Sequence, residues 1–305
     1  MTMLYADSIR MSLATGSEVQ AFVKTEPTKK RKKCLLLHGN PGTMLDWTRL
    51  IPLLSSVADI AAFDMPGFGR SPRGNSNPAS VNLDRLADCA MAVADVLSWT
   101  EPFFIFGQSH GGGVAQVAAA RYPERIAGIV PISTLTARKH GSYQFLSLPF
   151  AEASLRLAGF VVRSSVLRPL GKSITHRVMK AIWSPEPVPV ERLQRELALF
   201  SSRPEVLVSM VHLAQGRPCH YLARCATRIR CPILFIHGEL DALVPVEYVK
   251  AIYELIVNGG GQAELRIVPG AGHMVADYQT TEVANCITQF LSRCELQDDK
   301  CPTLQ

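Results

Sequence analysis

Residues 103–113 read Phe-Phe-Ile-Phe-Gly-Gln-Ser-His-Gly-Gly-Gly, an apolar run followed by a serine with a glycine two positions away on each side. The apolar run predicts a buried strand, and the small residues after it predict a helix that begins beside the serine. Gly107 and Gly111 permit the crowded backbone of a sharp strand-to-helix turn, which lifts the Ser109 hydroxyl above the sheet edge. The helix N-terminus favours negative charge that develops there. The stretch therefore predicts a nucleophilic serine.

Patterns on both sides of this turn predict alternating strands and helices. Further short apolar runs predict buried strands at residues 34–37, 60–63, 126–132, 232–236 and 264–268. Helical spacing of apolar residues predicts helices at residues 45–54, 82–99, 111–121, 246–257 and 281–291. Short buried strands that alternate with helices are typical of a mostly parallel central sheet flanked by helices on both faces. The sequence therefore predicts the α/β class.

Residues 135–225 interrupt this alternation. The segment is helical in character, contains seven prolines and has no convincing buried strand. Structureless connections of this length are uncommon in compact domains. We therefore expect an inserted helical domain at 135–225, within a core formed by residues 1–134 and 226–305.

A serine is a poor nucleophile at neutral pH, so Ser109 needs a base, and that base needs an orienting acid. In this architecture the expected chain order is serine, acid, histidine. Asp241 follows the predicted strand at 232–236, and His273 follows the predicted strand at 264–268. Carboxyl ends of strands are where ligand sites of open α/β sheets gather. Glu239 is the local alternative for the acid, and we favour Asp241.

The stretch His-Gly-Asn-Pro-Gly at residues 38–42 ends another predicted strand. A turn at this position can direct a backbone N–H at a carbonyl oxygen as it becomes an oxyanion. The second donor would be the N–H of His110, which follows the serine. Each of these pieces alone could be an ordinary turn, but all of them occur in the required order at strand ends.

These motifs together resemble the α/β-hydrolase superfamily, in the capped branch related to esterases, dehalogenases, epoxide hydrolases and carbon–carbon bond hydrolases. The matching stretches are HGNPG (38–42), DMPGFGRS (64–71), GQSHGG (107–112), GELDALVP (238–245) and GAGHM (270–274). They span about the whole chain, whereas residues 135–225 match the family's variable cap, or lid, by position only. The resemblance implies the α/β-hydrolase fold.

The resemblance also implies a role for each site residue. Ser109 would be the nucleophile, Asp241 the acid and His273 the base, with the backbone N–H groups of Asn40 and His110 as the oxyanion hole. The dehalogenases and epoxide hydrolases of this branch use an aspartate as nucleophile, and this chain has Ser109 at that position. Their reactions are therefore disfavoured.

The function expected first is hydrolysis of an ester-like bond in a small, largely apolar substrate through an acyl-enzyme, without a cofactor. Carbon–carbon bond hydrolysis of a diketone or dienone compound uses the same residues and is the main alternative. A thioesterase or acyl transferase acting on carrier-bound intermediates is a third reading. Ligand receptors built on this fold are the alternative that is not an enzyme, because fold alone does not settle function.

The composition restricts the class of protein. Apolar residues make up 47% of the 305 residues and charged residues 19%, which suits a large globular core. No stretch approaches the roughly 20 apolar residues of a membrane span, and no signal peptide is visible at the start. The eight cysteines include no CxxC pair, so we expect reduced thiols, no metal site and a cytoplasmic location.

The net charge of +6 is unevenly distributed along the chain. The run KKRKK at 29–33 lies between two strand-like segments and predicts a solvated hairpin turn. Residues 135–225 contain 13 Lys and Arg against 5 Asp and Glu. This basic segment favours an anionic substrate or an acidic carrier protein, although surface cations mostly solvate helices. No nucleic-acid reader motif is present, and a homodimer is left open.

Large apolar side chains in the inserted segment are candidates for contact with a substrate. Phe150, Phe160 and Trp183 are the residues predicted to line the pocket. The alternative is that they form the hydrophobic core of the insertion itself, and that alternative is the stronger one for any single residue.

Overall fold

An eight-stranded sheet forms the centre of the described part of the molecule. The computed structural model describes residues 3–26, 31–72, 82–138, 148, 150–164, 166–203, 205–215 and 218–298. In chain order the strands are β1 (Ile9–Ser12), β2 (Glu18–Lys24), β3 (Lys32–Leu37), β4 (Ala58–Phe63), β5 (Phe103–Gln108), β6 (Ile126–Ile132), β7 (Ile233–Gly238) and β8 (Ala263–Val268).

The strands lie in the order β1-β2-β4-β3-β5-β6-β7-β8. The pairs β1–β2 and β2–β4 are antiparallel, and all pairs from β4 to β8 are parallel. Every residue of β4, β5 and β7 is buried, because these strands are apolar on both faces and have helices on both sides. The predicted mostly parallel α/β sheet is therefore confirmed.

Helices cover both faces of the sheet and fill the connections between strands. They are α1 (Met3–Ala6), α2 (Ile51–Leu54), α3 (Leu83–Val96), α4 (His110–Arg121), α5 (Ala151–Arg163), α6 (Arg168–Trp183), α7 (Val190–Ser202), α8 (Glu205–Gln215), α9 (Pro218–Ala226), α10 (Val246–Asn258), α11 (Val275–Tyr278) and α12 (Thr280–Asp298). The Asn82 side chain caps α3 by accepting a hydrogen bond from the N–H of Arg85 at 2.9 Å, which fixes the start of that helix.

The helix predicted at residues 45–54 is wrong as a single element. The structure has a 3₁₀ turn at Met44–Trp47 and a separate short helix, α2. Thr43 caps the 3₁₀ turn and forms a capping box with Asp46, while Pro52 lies in the first turn of α2. Proline favours a helix start over a helix interior, so the apolar spacing is divided between two elements.

The hairpin predicted around the lysine-rich run is also wrong. Strand β4 lies between β2 and β3, pairing antiparallel with β2 and parallel with β3. The lysine-rich run ends in the first two residues of β3, and β2 and β3 are not neighbours. Residues 27–30, in the connection from β2 to β3, lie outside the described residues. Local sequence could not reveal the crossover, because β4 comes later in the chain than both of the strands it separates.

The described part of the segment between β6 and β7 contains the helices α5 to α9. Helices α5, α6, α7 and α8 pack against one another, whereas α9 packs against α4 and α10. Phe200, Val206 and Leu222 of this segment belong to the same hydrophobic cluster as the helices on one face of the sheet. The insertion therefore rests directly on the core, and its exact domain boundaries stay a prediction.

Candidate active site

Ser109 lies at the tight turn between β5 and α4. Its backbone has φ 51° and ψ −111°, a conformation that costs energy for a residue other than glycine. The glycines on either side are sterically required: a Cβ at Gly107 would lie 2.2 Å from the carbonyl oxygen of Gly111, and a Cβ at Gly111 would lie 2.2 Å from that of Leu37. The glycine spacing thus allows β3, β5 and α4 to meet beside the serine.

Hydrogen bonds from the neighbouring strand hold this turn in place. The Ser109 N–H donates to the carbonyl of Ile132 at 2.8 Å, and the Ser109 carbonyl accepts from the N–H of Leu135 at 3.1 Å. Ser109 is only 9% exposed. The end of β6 therefore anchors the main chain of the serine on the side opposite β3.

Asp241 and His273 form a buried hydrogen-bonded pair. The Oδ2 atom of Asp241 lies 2.8 Å from Nδ1 of His273, and Oδ1 accepts hydrogen bonds from the N–H groups of Leu243 and Val244, both at 2.9 Å. Burial alone would raise the pKa of Asp241, but the interaction with His273 and these hydrogen bonds outweigh it and lower that pKa. The ionised carboxylate accepts a hydrogen bond from Nδ1–H, and in this tautomer Nε2 of the imidazole is left as an acceptor.

Glu239, the alternative candidate for the acid, contacts the backbone of the loop that contains His273. It is exposed, and its Oε2 atom accepts a hydrogen bond from the N–H of Gly270 at 2.9 Å. Glu239 therefore holds the backbone near the start of residues 269–274, the histidine loop between β8 and α11. The carboxylate of Asp241 instead contacts the imidazole ring itself. The structure thus brings Asp241, and not Glu239, onto the ring nitrogen.

Gln108 connects the histidine loop to the serine turn. Its Nε2 atom donates to the carbonyl oxygen of His273 at 2.9 Å, and Gln108 immediately precedes Ser109 in the chain. This contact joins residues 165 positions apart. Sequence reasoning missed Gln108, although its place inside the glycine–serine motif could have drawn attention to it.

His237, the residue after the predicted strand at 232–236, is a second histidine beside Asp241. Its Nε2 atom donates to the carbonyl of Val244 at 2.8 Å and lies 3.4 Å from Oδ2 of Asp241. Burial lowers the pKa of His237, which keeps the ring neutral near pH 7. The neutral ring of His237 therefore stabilises the loop that contains Asp241 through its hydrogen bond to Val244. It adds no positive charge beside the Asp241 carboxylate.

The loop after β3 lies against the serine. A Cβ at Gly39 would lie 3.4 Å from the Cβ of Ser109, so the next residue, Asn40, is close to the turn. Both side-chain polar atoms of Asn40 are buried without a hydrogen-bond partner among the described residues. His110 is the first residue of α4 and fully buried, and burial lowers its pKa to about 3. Its ring is therefore unsuited to act as a base at neutral pH.

His38 stabilises this loop from beneath. Its Nδ1 atom lies 2.7 Å from the carbonyl of Gly39, and its Nε2 atom accepts a hydrogen bond from the N–H of Met65 at 3.0 Å. An accepting Nε2 requires the proton on Nδ1, and burial lowers the pKa of His38. The neutral ring therefore joins the loops that follow β3 and β4.

A buried ionic cluster ties the same loop to the insertion. Oδ1 of Asp46 lies 2.5 Å from Arg192 and 2.5 Å from Arg195, both on α7. Burial alone would raise the pKa of Asp46, but the two guanidinium groups outweigh it and lower that pKa. Breaking one partner from a buried ion pair is strongly destabilising, so α7 is firmly docked beside the β3 loop.

The predicted pocket-lining residues occupy different environments. Trp183 is fully buried and packs with Met179 and Met274, the residue after His273. Phe150 is 56% exposed and Phe160 65% exposed. Contact of these side chains with a substrate stays a prediction.

Two further properties of the described residues concern metal binding and membrane-spanning helices. In the described ranges, no three His, Cys, Asp or Glu side chains are grouped so that they could hold a metal ion. None of the helices described is both long enough and apolar enough to cross a bilayer.

Comparison with known proteins identifies a matching family and similar proteins for this chain. The family model for the alpha/beta hydrolase fold matches residues 35–279. The 2-hydroxymuconate semialdehyde hydrolase of Pseudomonas sp. (strain CF600) is 25% identical over 270 residues, which cover 86% of this chain and 87% of the relative. The pimeloyl-[acyl-carrier protein] methyl ester esterase of Edwardsiella ictaluri is 26% identical over 255 residues, which cover 80% and 86%.

A solved structure supports the same fold. The crystal structure of a meta-cleavage product hydrolase superposes with a TM-score of 0.74 at 21% identity, over 93% of this chain and 98% of that one. Because the family model spans most of the chain and the sheet has the matching architecture, this chain belongs to the α/β-hydrolase fold family.

Proposed function

We propose that this protein is a serine hydrolase that cleaves an ester-like bond in a small, largely apolar substrate, with Ser109, His273 and Asp241 as catalytic triad. The observation that carries the proposal is the buried Asp241–His273 pair, on a loop joined through Gln108 to the residue before the strained serine. A paired imidazole beside a serine at a strand-to-helix turn is what nucleophilic attack requires.

The proposed reaction has two halves. In the first, Oγ of Ser109 attacks the carbonyl carbon while Nε2 of His273 takes the hydroxyl proton. The oxyanion accepts hydrogen bonds from the backbone N–H groups of Asn40 and His110, and the alcohol leaves with the proton from His273. In the second, His273 deprotonates a water that attacks the acyl-enzyme, and Ser109 recovers its proton as the acid product leaves.

Two relatives support different bonds as the target. The esterase relative is named for a methyl ester, which supports an ester substrate and a small alcohol as leaving group. The other is named for 2-hydroxymuconate semialdehyde, a compound without an ester, and it supports carbon–carbon bond hydrolysis as the second candidate. The same serine, imidazole and oxyanion donors serve both reactions, so substrate tests must separate them.

The basic charge of the insertion supports a third class of candidate substrate, an acyl group bound to an acidic carrier protein. The esterase relative acts on a substrate attached to an acyl carrier protein, and residues 135–225 of this chain have an excess of eight positive charges, 13 against 5. Electrostatic steering of an anionic partner would act over about 8 Å at physiological salt. A carrier-bound acyl ester or thioester is therefore a substrate to include beside free esters.

Replacement of the nucleophile tests the triad directly. Ser109→Ala removes only an oxygen, so the protein should fold, while turnover should fall on the order of 10⁶-fold, as in comparable triads. A fluorophosphonate should label the wild type once, at Ser109, and leave the variant unlabelled when both are analysed by peptide mass spectrometry. Stoichiometric labelling of another serine would contradict the assignment.

Substitutions at Asp241 and Glu239 form a matched pair that tests which carboxylate is the acid. Asp241→Asn should lower kcat by up to about 10⁴-fold, because the amide no longer stabilises the imidazolium or selects the correct ring tautomer. Glu239→Gln retains an oxygen that can accept from the N–H of Gly270 and should change kcat far less. Steady-state kinetics on one ester substrate decide between them, and a larger loss from Glu239→Gln would assign the acid to Glu239.

A substrate panel tests the reaction class. We expect hydrolysis of p-nitrophenyl esters of graded chain length, with an optimum at one length, and slower or no hydrolysis of a dienone acid. Ser109→Ala is the control for uncatalysed release. A dienone acid cleaved far faster than every ester would establish the carbon–carbon hydrolase instead. If folded, unlabelled wild-type protein whose Ser109 is reactive toward the fluorophosphonate turned over no substrate of either class, the ligand-receptor alternative would replace the hydrolase.

A further inference from the structure

The segment that follows α6 lies directly against the histidine loop. The N–H of Gly272 donates to Oε1 of Glu186 at 2.7 Å. A Cβ at Gly272 would lie 2.2 Å from the carbonyl oxygen of Ser184 and 2.6 Å from Oε2 of Glu186. On the other side of the histidine, Met274 packs with Trp183. The residues immediately before and after His273 therefore both contact the insertion.

The remaining anchors of the histidine loop come from the core. Glu239 accepts from the N–H of Gly270, the N–H of Leu240 donates to the carbonyl of Ala271 at 2.8 Å, and Gln108 donates to the carbonyl of His273. The core thus holds the loop at these three points, and Glu186 holds it at Gly272. The peptide N–H next to the proposed base consequently depends on the insertion for its partner.

Glu186 is suited to this task by its burial and charge. It is 9% exposed, and its second carboxylate oxygen has no hydrogen-bond partner within the described residues. Hydrogen bonds from a backbone N–H to an ionised carboxylate are shorter and stronger than those between neutral groups. Small displacements of a catalytic group lower rates strongly, by about 10²-fold for 1 Å.

We propose that Glu186 is a positioning residue for His273, so that docking of the insertion completes the triad. This inference rests on the proposed hydrolase function. It assigns to the insertion a share in catalysis itself, because the ring of His273 is oriented by Asp241 while its backbone is set partly by Glu186.

Substitution at Glu186 tests this role. Glu186→Ala should lower kcat for an ester by about 10- to 100-fold with KM changed little, and should slow fluorophosphonate labelling of Ser109 by the same factor. Glu186→Gln keeps an oxygen that can accept from Gly272 and should restore most of the rate. Glu191→Ala, on the insertion with its side chain 61% exposed, is the matched control and should behave as the wild type.

The outcomes separate this inference from the function on which it rests. An unchanged kcat in a folded Glu186→Ala variant would overturn the positioning role, as would equal losses in the Ala and Gln variants. If Glu186→Ala does not fold, Glu186→Asp replaces it, because the shorter side chain keeps the charge but withdraws the acceptor from the N–H of Gly272: a lower kcat with an unchanged KM supports positioning, and an unchanged kcat overturns it. Failure of the hydrolase itself would appear separately, as absent labelling of Ser109 in the wild type.

A different observation concerns the outer surface of α5 and α6. Apolar side chains with large exposed fractions follow these helices and their connection: Leu157 (64%), Phe160 (65%), Val166 (83%), Leu170 (52%), Ile174 (38%) and Val178 (44%). The last three are spaced four residues apart and therefore form one stripe along α6. We call these six residues the apolar face. Exposed apolar groups of this extent mark interaction surfaces.

The charges beside the apolar face are almost all positive. Residues 151–183 contain six Lys and Arg and a single acid, Glu152, which is paired with Arg156 at 2.7 Å. Arg163, Lys172 and Lys180 are exposed. Apolar side chains flanked by cations are the pattern of helices that lie in the interface of an anionic membrane. Two copies of this chain meeting through this face would instead bring like charges together.

We infer that the apolar face docks on the surface of an anionic lipid bilayer. Wild-type protein should co-sediment with vesicles of phosphatidylcholine and phosphatidylglycerol, and much less with pure phosphatidylcholine. Leu157→Glu combined with Phe160→Glu should abolish this binding. Leu53→Glu, at a leucine of α2 with 44% exposure, is the matched control and should bind as the wild type does.

Each other outcome overturns the docking proposal. Absence of wild-type binding to the anionic vesicles, or binding that survives the double substitution, removes the apolar face as a membrane surface. A dimer in light scattering that the double substitution dissociates, without vesicle binding by the wild type, would assign the face to a second copy of the chain. Because Leu157, Phe160 and Leu53 are all exposed, circular dichroism should show the same folded spectrum for all variants.

Discussion

The backbone of Ser109 is held in a strained conformation, and the candidate site is built around that constraint. With φ at 51°, the turn is tolerable only because strands on both sides of β5 fix it through main-chain contacts. The carbonyl of Leu37 lies so close to Gly111 that no side chain fits between β3 and α4. This close approach also brings the loop after β3 beside the serine. One packing requirement thus places both Ser109, the proposed nucleophile, and the loop proposed to bind the oxyanion.

Buried carboxylates organise the loops around this turn, each in a different way. Asp241 is stabilised as an anion by His273 and two backbone N–H groups. Asp64 accepts hydrogen bonds from Tyr5 and from the N–H groups of Met44 and Arg70, although burial still raises its pKa. Because buried charge is costly unless it is paired or hydrogen-bonded, each of these carboxylates fixes the geometry of the loop that satisfies it.

The insertion contacts the loops on both sides of the candidate site. Arg192 and Arg195 reach Asp46 after β3, and Glu186 reaches Gly272, which precedes His273 in the loop after β8. These contacts are buried and charged, so they are sensitive to small displacements of the helices that supply them. Movement of the insertion would therefore alter the loop after β3 and the loop that contains His273 together.

The sequence by itself determined the α/β class and the strand and helix that flank Ser109, because glycine spacing and apolar runs are local properties. It did not determine that β4 separates β2 from β3, that Gln108 reaches the carbonyl of His273, or that Glu186 holds Gly272. Those contacts join segments 165 and 86 residues apart, and no local pattern encodes a partner at such a distance. Only the tertiary structure decided them. Every residue except proline has the same backbone N–H and carbonyl, so such a hydrogen bond depends mainly on where two chain segments meet.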